Sequence, residues 1–378
     1  MKESAASTLA FLYFFLFLFL APAQGSEIPR RGLFVSAIEN PLVLSDRQSI
    51  EALVDFAKKA RVQVLFVQIY RSNRAWFPSA LADSTPYESC FKKVGEDPFS
   101  LLIKKAHTQG IEVHAWMNLL SLSTNEEAPL LKKYGPEILT RNLQEKKTLA
   151  DYKIDNQYFL EPGDLRVQDT LSKIVGEVVR AYPALDGIQL DYIRYPDVHP
   201  SYGYTQRNMD RFKQSTGIYQ ISEDSPAWKQ WKYAQVTGLV RRIVRKARSI
   251  RPNIQVSTTG LMSYSRASLE SFQDWRAWLQ INLVDFVTLM CYGNNLDEFK
   301  KQLEDAVRNT VDLKKVNIAV GTYKFLKTPE VFQQQFSACE EAKPRSCVVF
   351  YYGNLLENPE LAQPLLSNVI PQRHSREL

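Results

Sequence analysis

Histidine and cysteine are scarce in this chain, whose 378 residues include four of each. There is no CxxC pair, no HExxH motif and no Cys/His spacing typical of zinc proteins, so we expect no metal site. A GxSxG elbow, a Walker loop and a GxGxxG turn are also missing. These absences argue against an α/β-hydrolase serine enzyme, a P-loop enzyme and a dinucleotide-dependent oxidoreductase. We therefore expect a function that needs no cofactor.

An excess of charge of one sign is also missing. The chain has 47 Lys and Arg against 41 Asp and Glu, a net charge of +6, and the basic residues are spread along the sequence. This balance gives little support for a nucleic-acid partner. The apolar share of 45% and the charged share of 23% are those of an ordinary globular protein, while aromatic residues reach 12%.

Only one long hydrophobic run is present, at residues 9–20, and it is shorter than the roughly 20 residues that span a membrane. Ala21-Pro22-Ala23 follows it and fits a small-x-small cleavage site. We predict a signal peptide over residues 1–23 and an exported protein, periplasmic or extracellular, with no stable membrane span once the signal is removed. The alternative is an uncleaved segment that anchors the chain to the membrane.

The cysteines fit such a location, because disulfides form outside the cytoplasm. Cys339 and Cys347 are close enough in sequence to pair, although the count of four does not settle the connectivity. Cys291 lies inside an apolar run, which favours a small core residue.

Alternating β and α patterns fill the rest of the chain and predict an α/β fold, a (β/α)8 TIM barrel. The barrel forms a single domain over residues 30–356, and a C-terminal extension covers 357–378. Two long loops, 118–163 and 197–227, emerge at the C-terminal ends of strands and predict the walls of a cleft. Phe159-Leu160 is assigned to the first loop rather than to a ninth strand. The eight predicted strands are Gly32–Ser36, Val62–Tyr70, Ile111–Met117, Gly187–Ile193, Ile254–Thr259, Val284–Tyr292, Val316–Tyr323 and Cys347–Tyr352.

The most informative stretch is residues 186–196, DGIQLDYIRYP. Side chains alternate along a strand, so Asp191 lies on the face opposite Ile188 and Leu190, at the strand's C-terminal end. In parallel barrels that end carries the active site. Asp191 is therefore a candidate catalytic or substrate-orienting carboxylate. The alternative is a structural aspartate that bonds backbone N–H groups.

Glycoside hydrolysis normally needs a second carboxylate. The main candidate is Glu161, which precedes Pro162-Gly163 at the end of the first long loop and is predicted as a general acid. A helix-entry or turn role for Glu161 is an open alternative, and Glu39 and Asp197 are weaker candidates.

Other strand ends supply polar and aromatic side chains that suit a sugar. His114 is on an alternating strand, where an imidazole is as typical of the core as of a binding site. It is therefore interpreted either as a substrate-binding residue or as a core residue. Trp76 is a further aromatic residue able to stack on a sugar ring. The predicted substrate-binding residues are Gln68, His114, Trp116, Asn118, Arg194, Tyr195, Tyr292 and Tyr323.

Taken in order, these motifs resemble the glycosyl hydrolase-like 10 family of exported bacterial (β/α)8-barrel proteins. The resemblance extends from about Arg30 to Leu355 and is carried mainly by the 186–196 motif. It is also carried by Arg31-Gly32, Gln68, His114-Ala-Trp116-x-Asn118, Leu160-x-Pro162-Gly163, Met290-x-Tyr292 and Gly321-x-Tyr323. It implies a carbohydrate-active barrel with cell-wall glycan as a plausible substrate.

Two functions remain open at this stage. The first is an exported glycoside hydrolase that cleaves a polysaccharide, with cell-wall peptidoglycan glycan as a candidate, by carboxylate acid/base chemistry. The second is a glycan-binding barrel of the cell envelope without turnover. Two carboxylates facing one cleft would favour the enzyme, and Asp191 alone would favour the binding protein.

Overall fold

The computed structural model describes residues 29–197, 199–310 and 312–367, and eight of its strands form a closed parallel barrel. The predicted (β/α)8 barrel is thereby confirmed. The barrel strands are β1 (Arg30–Val35), β2 (Val62–Arg71), β4 (Glu112–Asn118), β7 (Gly187–Asp191), β8 (Gln255–Leu261), β9 (Phe286–Cys291), β10 (Val316–Gly321) and β11 (Ser346–Phe350). Three short strands lie outside the barrel: β3 (Arg74–Ala75), β5 (Ser121–Ser123) and β6 (Tyr158–Phe159).

The barrel closes because β1 pairs in parallel with both β2 and β11. The register decides which side chains become neighbours at the C-terminal end. Along β4 and β7, Trp116 is opposite Gln189 and Asn118 is opposite Asp191. Along β2 and β4, Gln68 is opposite Trp116.

Apolar residues form two separate cores on either side of the barrel wall. The larger core fills the space between the strands and the surrounding helices. The smaller one fills the inside of the barrel, as expected for a packed TIM barrel, and consists of Phe34, Val64, Phe66, Trp116, Phe286, Ala319 and Val348. The near-continuous apolar strands follow from burial on both faces.

Thirteen α-helices lie within the described residues, several with side-chain caps. Asp46, Asp97 and Asp164 each accept a hydrogen bond from a backbone N–H in the first turn of the helix that follows. The helices are α1 (Arg47–Lys59), α2 (Thr85–Val94), α3 (Pro98–His107), α4 (Pro129–Tyr134), α5 (Leu165–Ala181), α6 (Gln206–Thr216), α7 (Pro226–Ile250), α8 (Tyr264–Leu269), α9 (Trp275–Gln280), α10 (Leu296–Asn309), α11 (Pro329–Ala342), α12 (Tyr352–Glu357) and α13 (Gln363–Leu366).

The two long loops both contain regular structure. The first holds α4 and the antiparallel β5–β6 pair, so Phe159 is in a short strand that is not part of the barrel. The second holds α6. Neither these elements nor β3, which pairs with the end of β2, follows from the apolar pattern. The short strands and α4 have too few residues to show a period, and α6 buries only Asn208 and Phe212, so it has no apolar stripe.

Cys339 and Cys347 form a disulfide that joins α11 to β11, while Cys291 is a buried free thiol. The predicted signal peptide and the second half of the C-terminal extension, residues 368–378, lie outside the described residues, and the domain boundaries stay predictions. Within the described part of the chain, no helix combines the length and apolarity required to cross a membrane.

Candidate functional site

A cavity of about 200 Å³ opens at the C-terminal end of the barrel, around the carboxylate of Asp191. We call it the Asp191 cavity. Its walls come from strand ends around the barrel and from the β5–β6 pair. The lining residues are Phe34, Arg71, Trp116, Asn118, Ser121, Gln157, Asp191, Tyr192, Arg194, Thr259, Met290, Tyr292 and Phe350.

Four donors converge on Asp191, whose side chain is 5% exposed. Oδ2 accepts from Trp116 Nε1 at 2.9 Å and from Asn118 Nδ2 at 3.0 Å. Oδ1 accepts from Thr259 Oγ1 at 2.6 Å and from the backbone N–H of Tyr192 at 2.8 Å. A carboxylate has about four acceptor positions, so this one is held in a single orientation.

Gln68 lies one layer behind and does not line the cavity. Its Nε2 donates to Asn118 Oδ1 at 2.7 Å, and its Oε1 accepts from the backbone N–H of Ala37 at 3.2 Å. These bonds orient the Asn118 amide so that its Nδ2 faces Asp191. Gln68 therefore acts on the cavity through Asn118 rather than by contact with a ligand.

Two arginines line the cavity with incomplete pairing. The guanidinium of Arg194 lies over the Tyr192 ring at 4.5 Å, and its Nη2 is 3.6 Å from Asp197 Oδ1. Its buried Nε and Nη1 have no hydrogen-bond partner within the described residues. The guanidinium of Arg71, at the end of β2, forms no hydrogen bond or ion pair with any residue that the structure describes, while the Arg71 backbone pairs with Arg74 of β3.

Aromatic rings form the side of the cavity opposite Arg71. Tyr292 packs against Phe350 with ring centroids 5.4 Å apart and against the edge of Tyr323 at 5.8 Å. Burial raises the pKa of the Tyr292 phenol well above its usual value, so it is a neutral group at physiological pH. Tyr323 is 42% exposed and lies at the rim, outside the cavity lining.

His114 is in the barrel interior, below the cavity. The residue is 1% exposed, and its ring packs between Phe66 and Phe286 at 5.4 and 5.7 Å. Strand alternation correctly puts it on the same face as Trp116, but one layer deeper. The core interpretation of His114 therefore matches its position, and direct substrate contact does not.

Glu161 and Tyr195 also lie away from the cavity, in a separate buried cluster. The two oxygens of Glu161 accept from Tyr195 Oη at 2.7 Å, Gly163 N at 2.9 Å and Thr140 Oγ1 at 2.9 Å. Burial raises the pKa of Glu161. Glu161 has no exposed surface and its carboxylate bonds the backbone two residues on, so its placement supports the helix-entry or turn alternative rather than the predicted general acid.

The predicted residues that do meet are Trp116, Asn118, Asp191, Arg194 and Tyr292. Several lining residues were not predicted as site residues. Ser121 and Gln157 come from the β5–β6 pair and are joined by a 2.9 Å hydrogen bond, a contact that the loop sequence does not reveal. Strand alternation could have predicted Phe34 as a lining residue, because it is on the inward face of the first strand.

Asp191 is the single carboxylate that lines this cavity in the described part of the chain. Asp197 is separated from it by the Arg194 guanidinium and also pairs with Arg266 at 2.8 Å. No group of three or more metal-binding side chains is found among residues 29–197, 199–310 and 312–367.

The model of the glycosyl hydrolase-like 10 family matches residues 29–338 of this chain. The chain belongs to this family. Among curated proteins, it is 25% identical over 308 residues to the glycosyl hydrolase DigH of Escherichia coli K12, covering 72% of this chain and 67% of that one. The DigH protein of Shigella flexneri matches with the same identity and coverage.

Solved structures confirm the fold. The PgaB (BpsB) glycoside hydrolase domain of Bordetella bronchiseptica superposes with a TM-score of 0.69 at 13% identity, covering 90% of this chain and 99% of that domain. The β-amylase catalytic domain of Paenibacillus polymyxa superposes with a TM-score of 0.57 at 12% identity, covering 92% of this chain and 100% of that domain. This family member thus has a glycoside hydrolase fold, which supports the prediction of a glycoside hydrolase.

Proposed function

We propose that this protein is an exported glycoside hydrolase that cleaves a polysaccharide, with the peptidoglycan glycan of the cell wall as the favoured substrate. The supporting observation is the Asp191 carboxylate, fixed by four donors at the C-terminal end of a barrel strand. Family membership supplies the reaction class. The related proteins named as glycosyl hydrolases support the same class.

Asp191 would act on the positive charge that develops at the anomeric carbon during glycosidic cleavage. A fixed negative charge in a partly enclosed cavity stabilises that transition state without reorganising as the bond breaks. All four hydrogen-bonding neighbours donate to the oxygens of Asp191. Asp191 is thus proposed as nucleophile or electrostatic stabiliser rather than as proton donor.

Sugar recognition would come from the remaining lining. The rings of Tyr292 and Phe350 offer apolar faces to a pyranose. Asn118, Arg194 and Ser121 offer hydrogen-bonding groups for its hydroxyls. This mixture of aromatic faces with a few convergent polar groups is typical of a small-molecule binding cavity.

Export is part of the proposal. It is supported by the apolar run at residues 9–20 and by the Cys339–Cys347 disulfide, since structural disulfides persist mainly outside the cytoplasm. A polysaccharide of the cell envelope would be accessible to a protein in that location.

A glycan-binding barrel without turnover is the second candidate. The observation that favours it is the presence of one carboxylate, instead of two, in the cavity lining of the described residues. In that case Asp191 would orient a bound sugar through its oxygens.

The deciding experiment measures soluble fragments released from purified glycans, including peptide-free peptidoglycan strands, by the wild type and by Asp191→Asn. Asp169→Asn is the matched control, because Asp169 lies on the surface of α5 and pairs with Lys173 at 2.7 Å. We expect release by the wild type and the control, and its loss in Asp191→Asn. Retained binding to one glycan without release by any of the three proteins would instead establish the binding function.

A further inference from the structure

A second cavity lies next to the Asp191 cavity, on the side of the β2–β3 hairpin. We call it the Trp76 cavity, and its volume is about 470 Å³. Its lining residues are Ile38, Arg71, Ser72, Arg74, Trp76, Ser123, Thr124, Asn125, Glu126 and Glu127. Arg71 lines both cavities, so they meet at its side chain.

The short strand β5 also connects the two cavities. Ser121, at its start, lines the Asp191 cavity, and Ser123, at its end, lines the Trp76 cavity. Two residues apart on one chain, their Cα atoms are separated by at most about 7 Å. That distance is comparable to the size of one monosaccharide.

One wall of the Trp76 cavity is held by specific contacts. Ser72 and Asn73 form the hairpin turn with positive φ angles of 55° and 58°. Asn125, itself buried, donates from Nδ2 to the carbonyl of Ser72 at 2.7 Å, and Asn73 Oδ1 accepts from Leu130 N at 2.9 Å. These bonds join the hairpin to the first long loop and fix Trp76 and Arg71 at the cleft.

We infer that the Trp76 cavity is a second sugar site, so that the substrate is a glycan polymer bound across at least two consecutive units. Trp76 supplies an aromatic face for the neighbouring sugar. Arg71 lies at the junction with its guanidinium unpaired by any described residue, and it donates hydrogen bonds to sugar oxygens on both sides. The inference rests on the proposed function and adds to it a second binding position, next to the Asp191 cavity, for the same glycan chain.

The test compares kcat/KM for peptide-free peptidoglycan strands fractionated by length, from disaccharides upwards. Arg71→Gln and Trp76→Leu are the test variants, and Trp76→Phe is the conservative one. Arg241→Gln and Tyr219→Ala are controls, since both residues lie outside the two cavities and Tyr219 is 76% exposed. Because Trp76 is only 9% exposed, unfolding midpoints are measured alongside. Arg71→Gln keeps the test valid if Trp76→Leu does not fold.

For Trp76→Leu we expect kcat/KM to fall about tenfold on long strands and little on the shortest ones, with Trp76→Phe retaining most of it. For Arg71→Gln we expect a larger loss of kcat/KM on long glycan strands than on short ones. Equal losses at every length, or none, would overturn the inference.

Failure of the proposed function would be recognised separately, because the wild type would then cleave none of the strands. In that event, the same proteins are compared by their affinity for strands of each length. A length-dependent loss of affinity in the Arg71 and Trp76 variants would still support the second site. Unchanged affinity, or no binding by the wild type, would overturn it.

Discussion

Replacing Glu161 by glutamine separates the two roles that the sequence allows for this residue. If Glu161 were the general acid, glutamine would remove a contribution of typically about 10²–10⁴-fold to the rate. The structure instead buries Glu161 away from the Asp191 cavity. We therefore expect Glu161→Gln to retain wild-type kcat on whichever glycan the wild type cleaves.

The stability of this variant follows from the hydrogen bonds. A glutamine Oε1 in the position of Glu161 Oε1 still accepts from Tyr195 and Gly163, and its Nε2 donates to the Thr140 hydroxyl, which can accept. At low pH the free energy of unfolding is thus expected within about 1 kcal/mol of wild type. Alanine removes the acceptor of four buried donors, on Tyr195, Gly163, Thr140 and Asn208, and is expected to cost at least about 3 kcal/mol.

The pH dependence of the free energy of unfolding shows whether the charge on Glu161 stabilises or destabilises the fold. Burial raises the folded-state pKa of Glu161 above that of the unfolded chain. The unfolded chain therefore releases this proton first, and the stability contributed by the protonated form is lost as pH rises through the folded pKa. Glutamine does not titrate, so Glu161→Gln is expected to gain stability relative to wild type as pH rises from about 4.5.

Denaturant unfolding across this pH range, together with kcat, is the assay. A Glu161→Gln protein that is folded and stable but has lost at least about 100-fold in kcat would contradict the buried, non-catalytic position of Glu161. It would place the proton donor at Glu161 and require the loop to move toward Asp191. If the difference in free energy of unfolding between Glu161→Gln and wild type does not change with pH, the raised pKa of Glu161 is wrong, while its non-catalytic role is unaffected.

Three further changes are expected to act through the fold. Cys339→Ser with Cys347→Ser opens a loop of eight residues and should lower the free energy of unfolding by about 2.5 kcal/mol; equal denaturation midpoints for oxidised wild type and the double variant would contradict this. Burial lowers the pKa of Lys232 to about 7, and below that pH the folded protein holds a buried charge. The free energy of unfolding of Lys232→Met should therefore exceed that of wild type by the most below pH 7. That difference should shrink toward pH 10, as unfolding at pH 6 and 9 will show. A Cβ on Gly187 would lie 2.3 Å from His114 Nδ1, so Gly187→Ala should cost at least about 1–3 kcal/mol. Combined with His114→Ala it should cost less than the sum of the two changes, whereas strict additivity would argue against the clash.

Strand alternation explains which of the predicted residues lie together at the cavity and which do not. Trp116, Asn118 and Asp191 lie on regular strands, so a period of two placed them on the inward face, and parallel pairing made them neighbours. Beyond Asp191 the strand ends, because Tyr192 adopts a left-handed φ of 51°. The alternation is broken there, and Tyr195 turns toward Glu161 instead of the cavity.

Eight apolar runs that alternate with helical patterns predict the barrel, because few other folds have this order, and they predict that Asp191 ends an inward-facing strand. Which polar residues share the cavity depends instead on the tertiary structure. His114 has the same strand face as Trp116 but lies one layer deeper, and depth inside a barrel depends on the stagger of all eight strands. Glu161 is buried through contacts with Thr140 and Tyr195, from two different segments. Local sequence patterns do not predict such long-range packing, because each contact depends on how separate loops fold over the barrel end.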